Sequence, residues 1–209
     1  FEASVGGGIP ILRPLSNCLA GNEISQVSGI LNGTTNYILT RMIRAGLTFD
    51  QALAEAQELG YAEKDPTADV DGHDACRKIC ILAALAYGQH VYPEQVSTQG
   101  IRGVALEDVS YAGSKGYRIK LLGRALHQGD KVCAYVAPHL VPDGNPLAGV
   151  EDVFNAIALT GNAVGDAMFY GRGAGKLPTA SAVVGDIIDI ARDPKRKRHN
   201  VWGPGREDL

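Results

Sequence analysis

The sequence predicts an α+β fold, a mixed β-sheet with helices packed on one face. Three observations predict it. Helix-like patterns with caps and glycine stops crowd the first half of the chain, and strand-like runs crowd the second. A Gly129-Asp130 pair sits between two β-like runs, a hairpin signal. The 209 residues are 45% apolar but only 6% aromatic, with 26 glycines, so the core is built from Ala, Val, Ile and Leu between many tight turns.

Taken in order, Phe1 to Val5 reads as a short strand and Gly6-Gly7-Gly8 as a tight turn. Pro10 suits the first turn of a helix that carries Ile11, Leu12 and Leu15 to about Leu19. Glu23 to Leu31 reads as a strand, and Asn32-Gly33 as a turn before a helix over Asn36–Ala45, capped by Thr34 or Thr35 and ended by Gly46. Thr48 and Gln51 form a capping box for Phe49–Leu59, with Gly60 as the stop. A long helix begins near Asp69 or Asp71 and runs to Tyr87, where Gly88 closes it. Tyr92-Pro93 starts a connector, and Val104–Asp108 opens a short helix.

Arg118–Leu126 and Lys131–Val141 form the two arms of the hairpin, and Asn145-Pro146-Leu147 is a turn. Phe154–Leu159 and Ala167–Tyr170 read as strands. A glycine loop, Gly171–Gly175, leads to a helix from about Thr179 to Ala191. Residues 1–192 are therefore expected to form the working domain. Residues 193–209, basic at first and then polar, are expected to be a tail or linker.

A net charge of −3 gives no basic field for nucleic acid, and no apolar run approaches the length that spans a bilayer. No signal peptide is visible. Cys18, Cys76, Cys80 and Cys133 make no C-x-x-C pair, which points to free thiols and a cytoplasmic location. The five histidines are scattered, and none reads as a metal ligand. The chain opens on Phe1 rather than Met and reads as a piece of a longer protein.

The most informative stretch runs from Gly60 to Lys78. It gathers Glu63, Asp65, Asp69, Asp71, Asp74 and Lys78 within one loop and the first turns of one helix. Asp74 and Lys78 are four residues apart and share a helix face, beside an apolar run. The bland reading is a surface ion pair worth a few tenths of a kcal/mol. The chemical reading is a lysine placed to bind a polar ligand or to move a proton. Burial would lower its pKa and Asp74 would raise it, and the sequence leaves that balance open. The Gly171–Gly175 loop is either a ligand loop or a structural turn, and its G-x-G-x-G spacing is not a dinucleotide fingerprint. The Gly6–Gly8 turn beside Glu2 is either a plain turn or a hard-cation site.

These residues carry a resemblance. Gly60-Tyr61-Ala62-Glu63-Lys64-Asp65-Pro66, followed by Asp69, Asp71, Gly72, Asp74 and Lys78, resembles the signature of the homoserine dehydrogenases. Glu2–Pro10, Gly29–Leu39 and Gly171–Val184 resemble further family segments in the right order, so that the likeness covers about residues 1–192. The resemblance implies NAD(P)-dependent interconversion of L-homoserine and L-aspartate 4-semialdehyde, in the biosynthesis of threonine, methionine and isoleucine. It gives Lys78 the proton-donor role and makes Asp74 its acidic partner. Glu63 binds the substrate amine, and Asp69, Tyr61, Thr34 and Gly33 are pocket candidates. Gly60 and one of Gly173 or Gly175 lie near the nicotinamide. The Glu2 side chain and the carbonyls of Val5, Gly7 and Ile9 match a monovalent cation site, usually sodium. The resemblance also implies a homodimer formed through this domain, and a nucleotide-binding domain that this chain lacks. The competing reading is a non-catalytic small-molecule-binding or dimerisation module. A third, nucleic-acid binding through the basic tail, has little support.

Overall fold

The computed structural model describes residues 1–194 and 202–205. Its sheet has strands β1 (Ile24–Ile30), β2 (Ser97–Thr98), β3 (Tyr117–Gln128), β4 (Lys131–Pro142), β5 (Phe154–Gly161) and β6 (Gly165–Arg172). The order is β2-β4-β3-β1-β5-β6, with β2 parallel to β4 and every other neighbouring pair antiparallel. The β3–β4 hairpin turns at Gly129, whose φ of 62° needs no Cβ to be accommodated. The mixed α+β architecture expected from the sequence is the one found.

The period of two divides the sheet into unlike faces. Val27, Leu121, Ala125, Ile157 and Leu159 are buried toward the helices. Gln26, Arg124, Thr160 and Met168 lie on the opposite face, together with a smaller apolar cluster of Ile30, Leu122, Val141 and Leu147. The helices are α1 (Gly33–Ala45), α2 (Phe49–Glu58), α3 (Thr67–Val70), α4 (His73–Tyr87), α5 (Leu106–Ser114) and α6 (Lys176–Arg192). α4 buries Ile79 and Leu82 completely, and each such side chain contributes roughly 1.5–3 kcal/mol relative to exposure. Gly123 of β3 lets α4 lie close, since a Cβ there would sit 2.9 Å from the Leu31 side chain and 3.1 Å from Ile79 Cβ. That approach sets the end of β1 against the start of α4, where the site forms.

Several boundaries differ from expectation. Phe1–Val5 is not a strand. Ser4 N–H donates to Phe1 C=O, closing a 3₁₀ turn over Glu2–Ser4. The segment after Pro10 ends as a π turn over Pro14–Cys18. Pro14 has no N–H, and the turn closes through Leu19 N–H to Pro14 C=O. The cap of α1 is Asn32, not Thr34 or Thr35: its side chain accepts from Thr35 N–H. The long acidic helix is two helices, because Gly72 turns the chain at φ 84° between α3 and α4. A Cβ on Gly72 would also press on Thr98 and Val136. α6 starts at Lys176, with Pro178 tolerated in its first turn.

All four cysteines are free, with Cys76 and Cys80 buried. Among the described residues no helix is long and apolar enough to cross a membrane. The basic run 195–198 lies outside the described residues. Residues 202–205 return to the end of α4, where Gly203 N–H donates to Gly88 C=O and His90 N–H to Gly203 C=O.

Behind the sheet lies a buried lysine. Lys120 is 1% exposed; its ammonium donates to Val150 C=O and to Asn36 Oδ1 at 3.2 Å. The Asn36 amide donates in turn to the carbonyls of Val150, Asp152 and Phe154. This network clamps the loop that precedes β5, where Asp152 holds a φ of 54°. Burial pulls the Lys120 ammonium down to about 8. A lysine depressed in the folded state binds fewer protons than in the unfolded chain between about pH 8 and 10.5, so stability rises with pH there. The rise stops near pH 10, where tyrosines of the unfolded chain ionise while Tyr37, held up to about 12 by burial and by its bond to Glu55, does not. Urea unfolding at pH 7.5 and 9.5 is expected to show the gain, and Lys120→Met to remove it. An equal gain in the variant would contradict the assignment.

Candidate active site

Four elements meet at the end of β1. The last residue before α1 is Asn32, which is 6% exposed. Its Oδ1 accepts from Thr35 N–H at 2.9 Å and caps the helix. Its Nδ2 donates to Asp69 Oδ1 at 2.7 Å and to Asp74 Oδ2 at 2.9 Å. One amide therefore ties α1, α3 and α4 together and holds two carboxylates side by side.

Lys78 completes the group. Its Nζ is 2.7 Å from Asp74 Oδ2 and 3.0 Å from Leu31 C=O. The side chain is 20% exposed, so the lysine is neither sealed nor out in bulk solvent. An ammonium has three donors; two are engaged here, and among the described residues the third has no partner. Asp69 is half-buried, and burial pushes its carboxyl up, against the pull of the Asn32 hydrogen bond.

The first turn of α1 faces the same region. The N–H groups of Gly33 and Thr34 are the first two of the helix and have no intrahelical acceptor. Thr34 Oγ1 donates to Tyr61 C=O at 2.6 Å, which fastens the acidic loop to α1. Tyr61 is exposed and makes an edge contact with the Tyr37 ring. Gly60 turns the loop at φ 74°. Glu63 is exposed on that loop, and the bond drawn to it is Gln57 Nε2 to its backbone carbonyl at 3.0 Å. Among the described residues no hydrogen bond or ion pair joins its carboxylate to the Asn32 cluster. Asp71 is spent on an ion pair with Arg102, and Asp65 accepts from Thr67 N–H. The acidic stretch thus divides into Asp69 and Asp74, which belong to the cluster, and Asp65 and Asp71, which shape the chain.

The residue missed by sequence reading is Asn32. Its signal was present: an Asn followed by Gly-Thr-Thr at a strand end is an N-cap as much as a turn.

The glycine loop and the amino-terminal turn lie against each other. Gly8 N–H donates to Arg172 C=O at 3.1 Å, and a Cβ on Gly7 would stand 2.3 Å from Gly173 O. Val5, Gly7 and Ile9 are buried, and among the described residues their carbonyls accept no backbone hydrogen bond. The Glu2 carboxylate is engaged by Leu12 N–H at 2.8 Å and Arg13 N–H at 2.9 Å.

Fold and site define the class first: an α+β domain with a partly exposed cluster of a lysine and two carboxylates at a helix N-terminus. The family follows from comparison. The homoserine dehydrogenase family matches residues 10–188. A homoserine dehydrogenase of Synechocystis is 53% identical over 194 residues, covering 91% of this chain and 45% of that protein. One of Bacillus subtilis is 48% identical, with 92% and 45% covered. The crystal structure of a homoserine dehydrogenase from Thiobacillus denitrificans superposes with a TM-score of 0.93 at 46% identity, over 97% of this chain and 48% of that one. A hyperthermophilic archaeal homoserine dehydrogenase mutant in complex with NADPH superposes with a TM-score of 0.78 at 35% identity, over 92% of this chain and 55% of that one. The chain belongs to the homoserine dehydrogenase family, and it spans about half the length of the relatives it matches.

Proposed function

We propose that this chain is the substrate-binding and proton-delivering domain of an NAD(P)-dependent homoserine dehydrogenase. The observation that carries the reading is the Lys78 ammonium, fixed by Asp74 and Leu31 C=O with one N–H uncommitted, at the mouth of the α1 N-terminus. A small amino acid fits that arrangement. Its carboxylate suits the free amides of Gly33 and Thr34, and its ammonium suits Glu63 and Asp69. Its reacting oxygen falls to Lys78. A bound nicotinamide cofactor would supply the hydride to the aldehyde carbon in the reductive direction. Lys78 supplies the proton to the oxygen as it becomes an alkoxide, and Asp74 holds the ammonium in line and stabilises its charge. Gly60, Gly173 and Gly175 would line the nicotinamide side of the cleft, where the absence of side chains permits close approach.

The nucleotide-binding part would come from the stretch of the longer polypeptide that this chain does not span. An exposed apolar face of α6, formed by Val183, Val184, Ile187, Ile188 and Ile190, supports this. A monovalent cation, sodium, would sit on the carbonyls of Val5, Gly7 and Ile9, with the Glu2 carboxylate adding charge nearby. A second copy would pack on the open sheet face, where Arg124 and Asp166 offer opposite charges to a two-fold partner.

The full-length enzyme is expected to reduce aspartate 4-semialdehyde with NADPH, and this chain alone to show no turnover. Equal turnover by the chain alone would overturn the division of labour. Light scattering is expected to give the mass of a dimer that Met168→Asp dissociates, and replacing sodium by a bulky organic cation is expected to lower the melting temperature. A monomeric parent, or indifference to the cation, would remove those two parts of the reading.

A further inference from the structure

Asn155, the second residue of β5, is 1% exposed, and its Oδ1 is buried without a hydrogen-bond partner. Leaving such a carbonyl unpaired costs about 1–3 kcal/mol. The other such atom among the described residues, Arg41 Nε, lies 2.9 Å from Glu55 Oε1, so the orphan at Asn155 stands apart and needs a reason. Its position supplies one. The amide lies flat against Gly173: a Cβ there would be 2.1 Å from Nδ2 and 2.6 Å from Oδ1. On its other side, Oδ1 is 3.6 Å from where a Gly33 Cβ would be, at the first residue of α1. The unpaired oxygen thus stands at the seam between the substrate end of the cleft and the glycine loop.

The strand pairing fixes the backbone of Asn155, while Gly173 in the glycine loop is held by packing against Gly7 and the Asn155 amide. Asn155 follows the loop that Asn36 and Lys120 clamp from behind. It lies within the β5–β6 pairing, opposite Gly171. The loop is anchored before Gly173 by Gly8 N–H to Arg172 C=O, and after it by Thr179 N–H to Gly175 C=O. Among the described residues no backbone hydrogen bond holds Gly173 or Ala174. Gly173 is therefore the one element that a ligand entering from the glycine-loop side would have to displace to reach Asn155 Oδ1.

We propose that Asn155 is a positioning residue for the nicotinamide ring, its Oδ1 accepting a hydrogen bond from the carboxamide N–H of the cofactor once Gly173 has moved aside. The inference rests on the reading of this domain as part of an NAD(P) enzyme. An acceptor at this seam selects a primary carboxamide and disfavours a ring substituent with no N–H. It also fixes the ring's rotation, and with it the face presented to the substrate carbon.

The test uses binding to the full-length enzyme, followed by quenching of protein fluorescence, with two probes: NADP⁺ and its 3-acetylpyridine analogue, which keeps the carbonyl but has no N–H. The unaltered enzyme is expected to bind NADP⁺ about tenfold more tightly, the value of one neutral hydrogen bond. Asn155→Ala is expected to weaken NADP⁺ binding by that factor and to bring the two probes level. Asn155→Asp, which keeps an acceptor, is expected to retain the preference. It also serves if the alanine variant does not fold. Hydrogen exchange at Gly173 and Ala174 is expected to change on NADP⁺ binding. Equal affinities for the two probes in the unaltered enzyme, or an unchanged ratio in Asn155→Ala, would overturn the role of Asn155 while leaving the dehydrogenase reading intact. Failure of the unaltered enzyme to bind either probe would overturn both.

Discussion

Replacing Lys78 by alanine is expected to lower turnover of the full-length enzyme by about 10²–10⁴-fold, the usual worth of a positioned general acid or base. Homoserine binding is expected to persist within a few-fold, because the proposed carboxylate and ammonium contacts lie on α1 and on the acidic loop. The alanine variant also leaves Asp74 without its cation, so a second substitution separates charge from proton delivery. Lys78→Arg keeps a cation against Asp74 but cannot give up a proton near neutrality. Loss of turnover in both variants, with binding retained, is the pattern of a proton donor. Full turnover in Lys78→Arg would mean that the ammonium acts only as a fixed charge. Full turnover in Lys78→Ala would favour the competing reading, a binding or dimerisation module without chemistry.

The largest effect on stability is expected at Asn32. Asn32→Ala removes the α1 cap and two hydrogen bonds to carboxylates, and is expected to cost about 2–4 kcal/mol. It also leaves Asp69 and Asp74 facing each other with no shared donor, so the Asp69 carboxyl, already pushed up by burial, is expected to rise further. Urea denaturation of this chain measures the first effect, and carboxyl chemical shifts against pH measure the second. Asn32→Asp separates them: it keeps a good cap yet adds a third carboxylate. It is expected to retain more helix than the alanine variant and to raise the Asp69 titration at least as far. A cost below about 0.5 kcal/mol for Asn32→Ala, the level of an ordinary surface change, would show that the amide is not the hub described here.

Much of this was legible in the sequence because it depends on local chemistry. The Thr48–Gln51 capping box forms as its spacing requires. Gly46 and Gly88 end α1 and α4 in the left-handed region. The Asp74–Lys78 pair follows from helical spacing alone. What was missed depends on contacts distant in the chain. The fate of Phe1–Val5 is bound up with Glu2, whose carboxylate is drawn to amides ten and eleven residues later. The break between α3 and α4 is enforced by Thr98 and Val136, which meet Gly72 from β2 and β4. β2 is a two-residue edge strand, too short to leave a period. Asn32 could be read as a cap or a turn, but its bonds to Asp69 and Asp74 span 37 and 42 residues. Asn155 gave no local signal, since what distinguishes it is the glycine laid across its amide.

A structure of the full-length enzyme with homoserine and NADP⁺ bound tests the central claim most directly. The hydroxyl oxygen of homoserine is expected within hydrogen-bonding reach of Lys78 Nζ, about 2.6–3.2 Å, with Asp74 still on the opposite side of the nitrogen. A hydroxyl bound elsewhere, with Nζ turned away or separated from it by the breadth of the cleft, would contradict it.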